Sequence, residues 1–167
     1  NKLEVHTDFE VPGSPYLSFT RYYNSQPARA YNYDMGPFWR HNFNYSLVIS
    51  GNKYKLHRPD GSVITVGDPN EANEVGVFDY VLDQTTGATI GYTYDTNKGT
   101  KETYNNVGII TRIDFLQGGY LVFNYSSNRL SSVVDHFGRS VSFTYGNYYR
   151  VSQVKTPSGA IYKYDYI

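Results

Sequence analysis

The chain carries four histidines, His6, His41, His57 and His136, and imidazole is the side chain suited both to metal ligation and to proton transfer near neutral pH. None lies in a His-Glu-x-x-His run or a close His-x-His pair, so the spacing of a zinc site is missing. The histidines read as turn and strand-end residues. Serine is frequent, but no Gly-x-Ser-x-Gly elbow presents one as a nucleophile. Two carboxylates for glycosidic cleavage would have to come from Glu4, Asp8, Glu10, Asp60, Asp79 or Asp83, and no spacing singles out a pair. A phosphate loop needs a helix behind it, and no stretch shows it. The residues therefore assign no catalytic group, no cofactor site and no metal ligand, no cofactor is expected, and the chain is not read as an enzyme. Trp39 beside Arg40 is either a ligand-stacking aromatic or a core anchor at the first turn of a sheet with its N–H hydrogen-bonded. The second reading is favoured. Arg21 and Arg40 are expected to pair with Asp8 or Asp60.

The elements that would hold these residues are strands. The 167 residues contain 19 Tyr and 9 Phe against one Met and one Trp, a bias toward half-buried strands. The 15 Gly and 7 Pro supply turns, and no long run has the apolar spacing of three and four that marks a helix. Lys+Arg and Asp+Glu are 15 each. This balance removes the electrostatic case for nucleic acid. Cysteine is absent, which excludes a disulfide framework. No apolar run reaches the roughly 20 residues of a membrane helix, so no membrane span is expected. The first residue is Asn and the last residues are strand-like, and the chain reads as a piece of something longer.

The second half repeats. Gly118, Gly138 and Gly159 serve as origins, spaced 20 and 21 residues apart. Leu121, Val141 and Tyr162 stand three residues after them, Phe123, Phe143 and Tyr164 five after, and Tyr125, Tyr145 and Tyr166 seven after. This period of two places them on one face of a strand. Ile110, Leu130 and Val151 stand eight before each Gly, and Ile113, Val133 and Val154 five before. Those two positions differ in parity, which predicts a bulge or bend in the preceding strand. A further origin at Gly87 fits in its second half, with Ile90, Tyr92 and Tyr94. The expected modules are β-hairpins near 87–95, 108–125, 128–145 and 149–166, each too small to bury its own aromatic face and so stacked side by side. In the first half, Val11 to Pro15 reads as a turn, and Leu17 to Tyr23 as a strand with Leu17, Phe19 and Arg21 on one face. His41 to Ile49 reads as a strand, and Tyr54–Leu56 with Val63–Val66 as a hairpin turning at Arg58-Pro59-Asp60-Gly61. Gln26–Asp34 is expected to be loop, as is Asp68–Glu74, which admits a short helical turn.

The segments NRLSSVVDHFGRSVSFTY (Asn128 to Tyr145) and YRVSQVKTPSGAIYKYDY (Tyr149 to Tyr166) resemble the YD repeat of RHS proteins, with Tyr164-Asp165 as the nominal pair. DFEVPGSPYLSFTRYYNSQ (Asp8 to Gln26), GPFWRHNFNYSL (Gly36 to Leu47) and RPDG (Arg58 to Gly61) are similar to the N-terminal domain that opens the RHS repeat region. The resemblance implies an all-β chain with an N-terminal RHS domain over 1–75 and YD-type hairpin repeats over 76–167. It implies a curved, spiralling antiparallel sheet, a segment of the cocoon that RHS proteins share with Tc-toxin C and teneurin shells. For a bacterial member it further implies a polymorphic toxin, secreted or at the cell surface. Its remaining repeats and enclosed C-terminal toxin would be the partners on the same polypeptide, and a component of a secretion system such as type VI would serve delivery. Most YD positions here lack Asp, as in Phe123-Asn124-Tyr125 and Phe143-Thr144-Tyr145, and the family's self-cleaving core motif and toxin have no counterpart in these residues.

The competing reading is a carbohydrate- or protein-binding module that uses the tyrosines as a platform. A transmembrane barrel needs alternating strands of about 9–11 residues, and the segments from +3 to +7 are too short. Open sheet edges predict edge-to-edge self-association of the isolated chain.

Overall fold

In a computed structural model, residues 1–26, 34–67 and 76–167 are described. Most of the two expected loops, 26–34 and 68–74, therefore lies outside the described residues. The described residues hold no α-helix, and no helix is long and apolar enough to cross a membrane. The protein is all-β and its paired strands are antiparallel. In chain order the strands are β1 (Leu3–Phe9), β2 (Phe19–Asn24), β3 (Trp39–His41), β4 (Ser46–Ser50), β5 (Lys53–His57), β6 (Val63–Val66), β7 (Val77–Leu82) and β8 (Thr89–Asp95). They continue with β9 (Thr100–Asn105), β10 (Ile110–Phe115), β11 (Tyr120–Ser126), β12 (Arg129–Asp135), β13 (Ser140–Tyr145), β14 (Val151–Lys155) and β15 (Ile161–Lys163). Every strand pairs with its neighbour in sequence within its sheet, the simplest outcome of short turns between β-prone segments.

The chain divides into two compact units. One comprises residues 1–44, 59–62 and 121–167. In it β1, β2 and β3 form a three-stranded sheet, and β11 to β15 form consecutive antiparallel hairpins. The core lies between these two sets of strands. Phe19 stacks on Phe9 at 5.8 Å between centroids and meets Phe143 at 6.1 Å. Phe43 meets Phe123 and Phe143 edge-on at 6.2 and 6.1 Å. Leu17, Val133, Val141, Val151 and Val154 complete this core and are fully buried. Each such side chain contributes about 1.5–3 kcal/mol by leaving water.

The other unit comprises residues 45–58 and 63–120. It contains the sheet β4-β5-β6 and the strands β7 to β10. Leu47, Leu56, Val66, Tyr92, Tyr94, Tyr104, Ile110 and Ile113 are its buried apolar and aromatic residues. Tyr54, Phe78, Tyr80 and Tyr92 form an aromatic cluster with centroids 5.1 to 5.9 Å apart. The turn at Gly108 is pressed onto β4: the Leu47 N–H donates to the Gly108 carbonyl at 2.9 Å. A Cβ at Gly108 would strike the Leu47 carbonyl, and its φ of +91° is one that side chains resist.

Three expectations are corrected in detail. The strand expected from Leu17 begins at Phe19, because Pro15–Leu17 makes a 3-10 turn. Leu17 is buried all the same. The strand expected from His41 to Ile49 is two, β3 and β4. Between them Asn44 accepts the His41 N–H on its side-chain oxygen at 2.7 Å, and Asn42 donates to the Ser18 carbonyl at 2.8 Å. Asparagine competes with ladder bonding in this way and breaks strands. The third concerns Gly87. It lies in the β7–β8 joint, where Asp83 caps Thr85 and Thr86, and Ile90, expected to share a face with Tyr92 and Tyr94, stands at a bulge and is exposed. Gly99 holds the equivalent place: Tyr94 five before it, and Glu102 and Tyr104 three and five after it, are buried.

Candidate functional site

The repeat positions give the chain its most regular chemistry. At Gly118, Gly138 and Gly159 the glycine N–H donates to the carbonyl three residues back, at 3.0 Å each time, and φ is +87°, +80° and +93°. A Cβ would meet nothing within 4 Å at any of the three, so glycine is there for its conformation rather than for room. The residue three before the glycine bonds in turn with the one just after it, through Phe115 and Gly119, Asp135 and Arg139, and Thr156 and Ala160.

The parity break before each glycine is a bulge, and it falls at one residue in all three modules: Thr111, Ser131 and Ser152. Each hydroxyl donates to a carbonyl of the preceding strand, Thr111 to Thr103 at 3.2 Å, Ser131 to Asn124 at 3.0 Å and Ser152 to Thr144 at 3.1 Å. A hydroxyl residue seven before each glycine was legible as a recurring type, and it is the repeat determinant the spacing of apolar residues passes over. The tyrosine seven after the glycine completes the module. Tyr145 donates to the Leu130 carbonyl and Tyr166 to that of Val151, both at 2.8 Å. Burial pushes the Tyr145 phenol up, and it pushes Tyr166 up to about 12, so both remain hydroxyl donors. Phe123 and Phe143 are buried, and Tyr164 is half-buried. Tyr125, at the end of β11, is more exposed, at 37%.

Trp39 is not the core anchor expected. It is half-buried on β3, with His6 at 5.6 Å, Tyr23 at 5.2 Å and the Arg21 guanidinium 5.3 Å from its ring. It lines an open groove of about 840 Å³ with Asp8, Arg21, Arg150, Tyr164 and Tyr166. Arg21 grips Asp8 with two hydrogen bonds of 2.7 and 2.9 Å, and the Tyr164 hydroxyl donates to the same carboxylate at 2.6 Å. The expected Arg21–Asp8 pair is thus present, and the ring faces of Trp39 and Tyr164 toward it are covered by the guanidinium. Arg40 instead donates to the Asn44 carbonyl at 3.2 Å. Burial lowers its pKa, and the charges of Asp34 and Asp60 oppose that.

Arg40 belongs to a buried polar knot with Asp34, His41 and Asn44. The Phe43 N–H donates to His41 Nδ1 at 3.1 Å, which places the ring proton on Nε2, 3.1 Å from Asp34 Oδ2. Both imidazole nitrogens are engaged, so this His–Asp pair has no nitrogen to offer a substrate. Burial alone would raise the Asp34 carboxyl, but His41, Asn44 and Arg40 hold it below the usual aspartate range. A second such arrangement went unread in the sequence. Glu102, nearly fully buried, takes two hydrogen bonds of 2.6 Å from Arg58 and one of 2.7 Å from the Tyr104 hydroxyl. The carboxylates weighed as acid–base candidates hold ordinary posts: Asp60 and Asp83 cap turns, and Glu4 pairs with Lys2. Of the other histidines, His57 is the buried end of β5 and His136 sits in the Gly138 turn with its ring 4.0 Å from Phe137. Among the described residues no three His, Asp or Glu side chains group as metal ligands.

Asp135 ties the two ends of its unit together. Its carboxylate accepts from the Phe137 and Arg139 N–H groups at 3.0 and 2.9 Å, from Arg139 Nε at 3.0 Å and from Ser14 at 3.1 Å. Arg139 then reaches the Pro12 and Gly13 carbonyls at 3.1 and 3.2 Å, so the Val11–Ser14 turn is clamped onto the Gly138 turn.

A family model described as a domain of unknown function, DUF6531, matches residues 1–66, the stretch that ends with β6. No curated protein matches the chain significantly.

Proposed function

We propose that this chain is wall material: a structural segment of an RHS-repeat shell, at the point where an N-terminal domain gives way to YD-type hairpins. The proposal extends to a bacterial polymorphic toxin, secreted or surface-borne, whose shell encloses a C-terminal toxin domain for delivery through a secretion system. The observation that carries the reading is the residue-by-residue recurrence of one hairpin. The glycine turn, the hydroxyl bulge and the buried residues eight and five before the glycine return in three modules, and the tyrosine-to-carbonyl bond returns in two. Binding and catalytic sites break a repeat locally, whereas a wall needs each unit to present the same edge to the next. Two further features support it. The repeating tyrosine hydroxyls of Tyr145 and Tyr166 are taken up by backbone carbonyls rather than presented to a ligand, and His41 has both nitrogens engaged.

The reading is tested by limited proteolysis of the whole protein that carries this chain. Residues downstream of the repeats are expected to resist a low protease concentration in the native protein. They are expected to become cleavable in a Phe143→Ala variant, whose wall is loosened. Downstream cleavage in the native protein as fast as in its denatured form would overturn the enclosure.

A further inference from the structure

The joints between modules are not alike. Between β11 and β12 the two central residues are Ser127 and Asn128, with φ of 51° and 62°. Between β13 and β14 the corresponding places hold Tyr148 and Tyr149, with φ of 56° and 59°. The turn is closed by the Arg150 N–H to the Asn147 carbonyl at 3.3 Å and the Gly146 N–H to the Arg150 carbonyl at 2.8 Å. This left-handed two-residue turn favours Asn and Gly, and an aromatic residue there is strained. Burial does not compensate, since Tyr148 is 85% exposed and Tyr149 66%. Strain kept at an exposed position points to a use for it.

Two arginines complete the surface. Arg129 lies 3.6 Å from the Tyr149 ring centroid, and Arg150 lies 5.8 Å from that of Tyr148. Arg21, Arg58, Arg112 and Arg139 are each paired with a carboxylate. Arg129 and Arg150 have no such pair among the described residues, and their donor forks remain open. The turn thus displays the Tyr148 ring beside Arg150, whose guanidinium also lies 5.2 Å from the Tyr166 ring, and the Tyr149 ring with one face covered by Arg129 and the other left exposed.

We propose that the Tyr148–Tyr149 turn, with Arg129 and Arg150, is a binding site for carboxylated sugars, whether uronate or sialate units of an oligosaccharide. The C–H face of the pyranose lies on the exposed tyrosine rings, and the sugar carboxylate takes the planar donor fork of an arginine, the geometry in which Arg binds carboxylate best. A peptide of Asp and Glu would use the arginines and leave both rings without a flat apolar surface to meet. The site is independent of the shell reading, because it uses none of the repeat positions that carry that reading.

The test is calorimetric titration of the 167-residue chain with an oligogalacturonate, an oligosialate, a neutral oligogalactoside and poly-glutamate. At least one of the two carboxylated oligosaccharides is expected to bind, and which one identifies the source. The neutral sugar and poly-glutamate are expected to bind about tenfold more weakly or not at all. The double variant Tyr148→Asn with Tyr149→Gly fits the turn better, so it is expected to melt at the wild-type temperature or higher while losing about tenfold or more in affinity. Arg129→Gln with Arg150→Gln is expected to lose affinity at unchanged melting temperature. Failure of both carboxylated sugars to bind, equal binding by poly-glutamate, or wild-type affinity in the tyrosine variant would each overturn the proposal.

Discussion

Glu102 stands where the repeat asks for an apolar residue. Three residues after Gly99, it takes the place that Leu121 and Val141 hold in later modules, and it is as buried as they are. It is tolerable there because Arg58 meets it bidentately and Tyr104 supplies a third hydrogen bond. Burial works against the Arg58 charge, and the bonds to Glu102 more than offset it, raising its pKa. Replacing Glu102 by Leu alone leaves that charge buried and unmatched, and is expected to cost about 3–5 kcal/mol. Adding Arg58→Met should recover most of the loss, since a buried ion pair exchanged for apolar packing is often neutral. Chemical denaturation of the two variants checks this, and a double variant as unstable as the single would show that the pair does more than satisfy itself. Phe143 is the apolar counterpart. It meets Phe19, His41 and Phe43 at 5.4 to 6.1 Å. Phe143→Ala is expected to lower stability by about 3–5 kcal/mol, and an unchanged melting temperature would show the register to be wrong.

At the scale of elements, the hairpins of the second half were legible because a period of two and a glycine at fixed intervals are properties of sequence alone. The bulge was legible as a parity break but not as a residue; the recurring Thr111, Ser131 and Ser152 fix it, and only their bonds to Thr103, Asn124 and Thr144 explain why a hydroxyl is needed. Gly87 was misplaced because a joint glycine and a hairpin glycine look the same in sequence. Trp39 read as core because it is large and apolar, yet a three-residue edge strand leaves it half-covered by Arg21, His6 and Tyr23. The Asp135 clamp joins residues more than a hundred positions apart, which no local pattern reveals. That clamp makes a pH prediction. Burial would raise the Asp135 carboxyl, but the N–H groups of Arg139 and Phe137 and the Ser14 hydroxyl hold it below the usual aspartate range, as the His41 knot does for Asp34. A carboxyl depressed by folding stabilises the fold fully above its unfolded pKa near 4, and this contribution is lost as pH falls through the lower folded value. Melting temperature is therefore expected to drop below about pH 4, and to drop less steeply in Asp135→Asn. Equal slopes for the two proteins would remove Asp135 from the account.

At the scale of the molecule, two sets of tyrosines among the described residues differ in use. Those at repeat positions are taken up within the fold: Tyr145 and Tyr166 tie strand ends to backbone carbonyls, and Tyr164 holds the Asp8 carboxylate. Tyr148 and Tyr149 stand outside that pattern, exposed on a strained turn. On the proposed readings, substitutions in the first set are expected to lower stability and those in the second to lower binding. The shell wall is the central claim, and electron cryo-microscopy of the whole protein that carries this chain tests it most directly. The account predicts a hollow shell in which a further hairpin pairs with β15, covers Tyr162 and repeats the glycine turn and hydroxyl bulge. A map in which these residues form a closed, separate domain, with the β15 edge and Tyr162 still facing solvent, would contradict it.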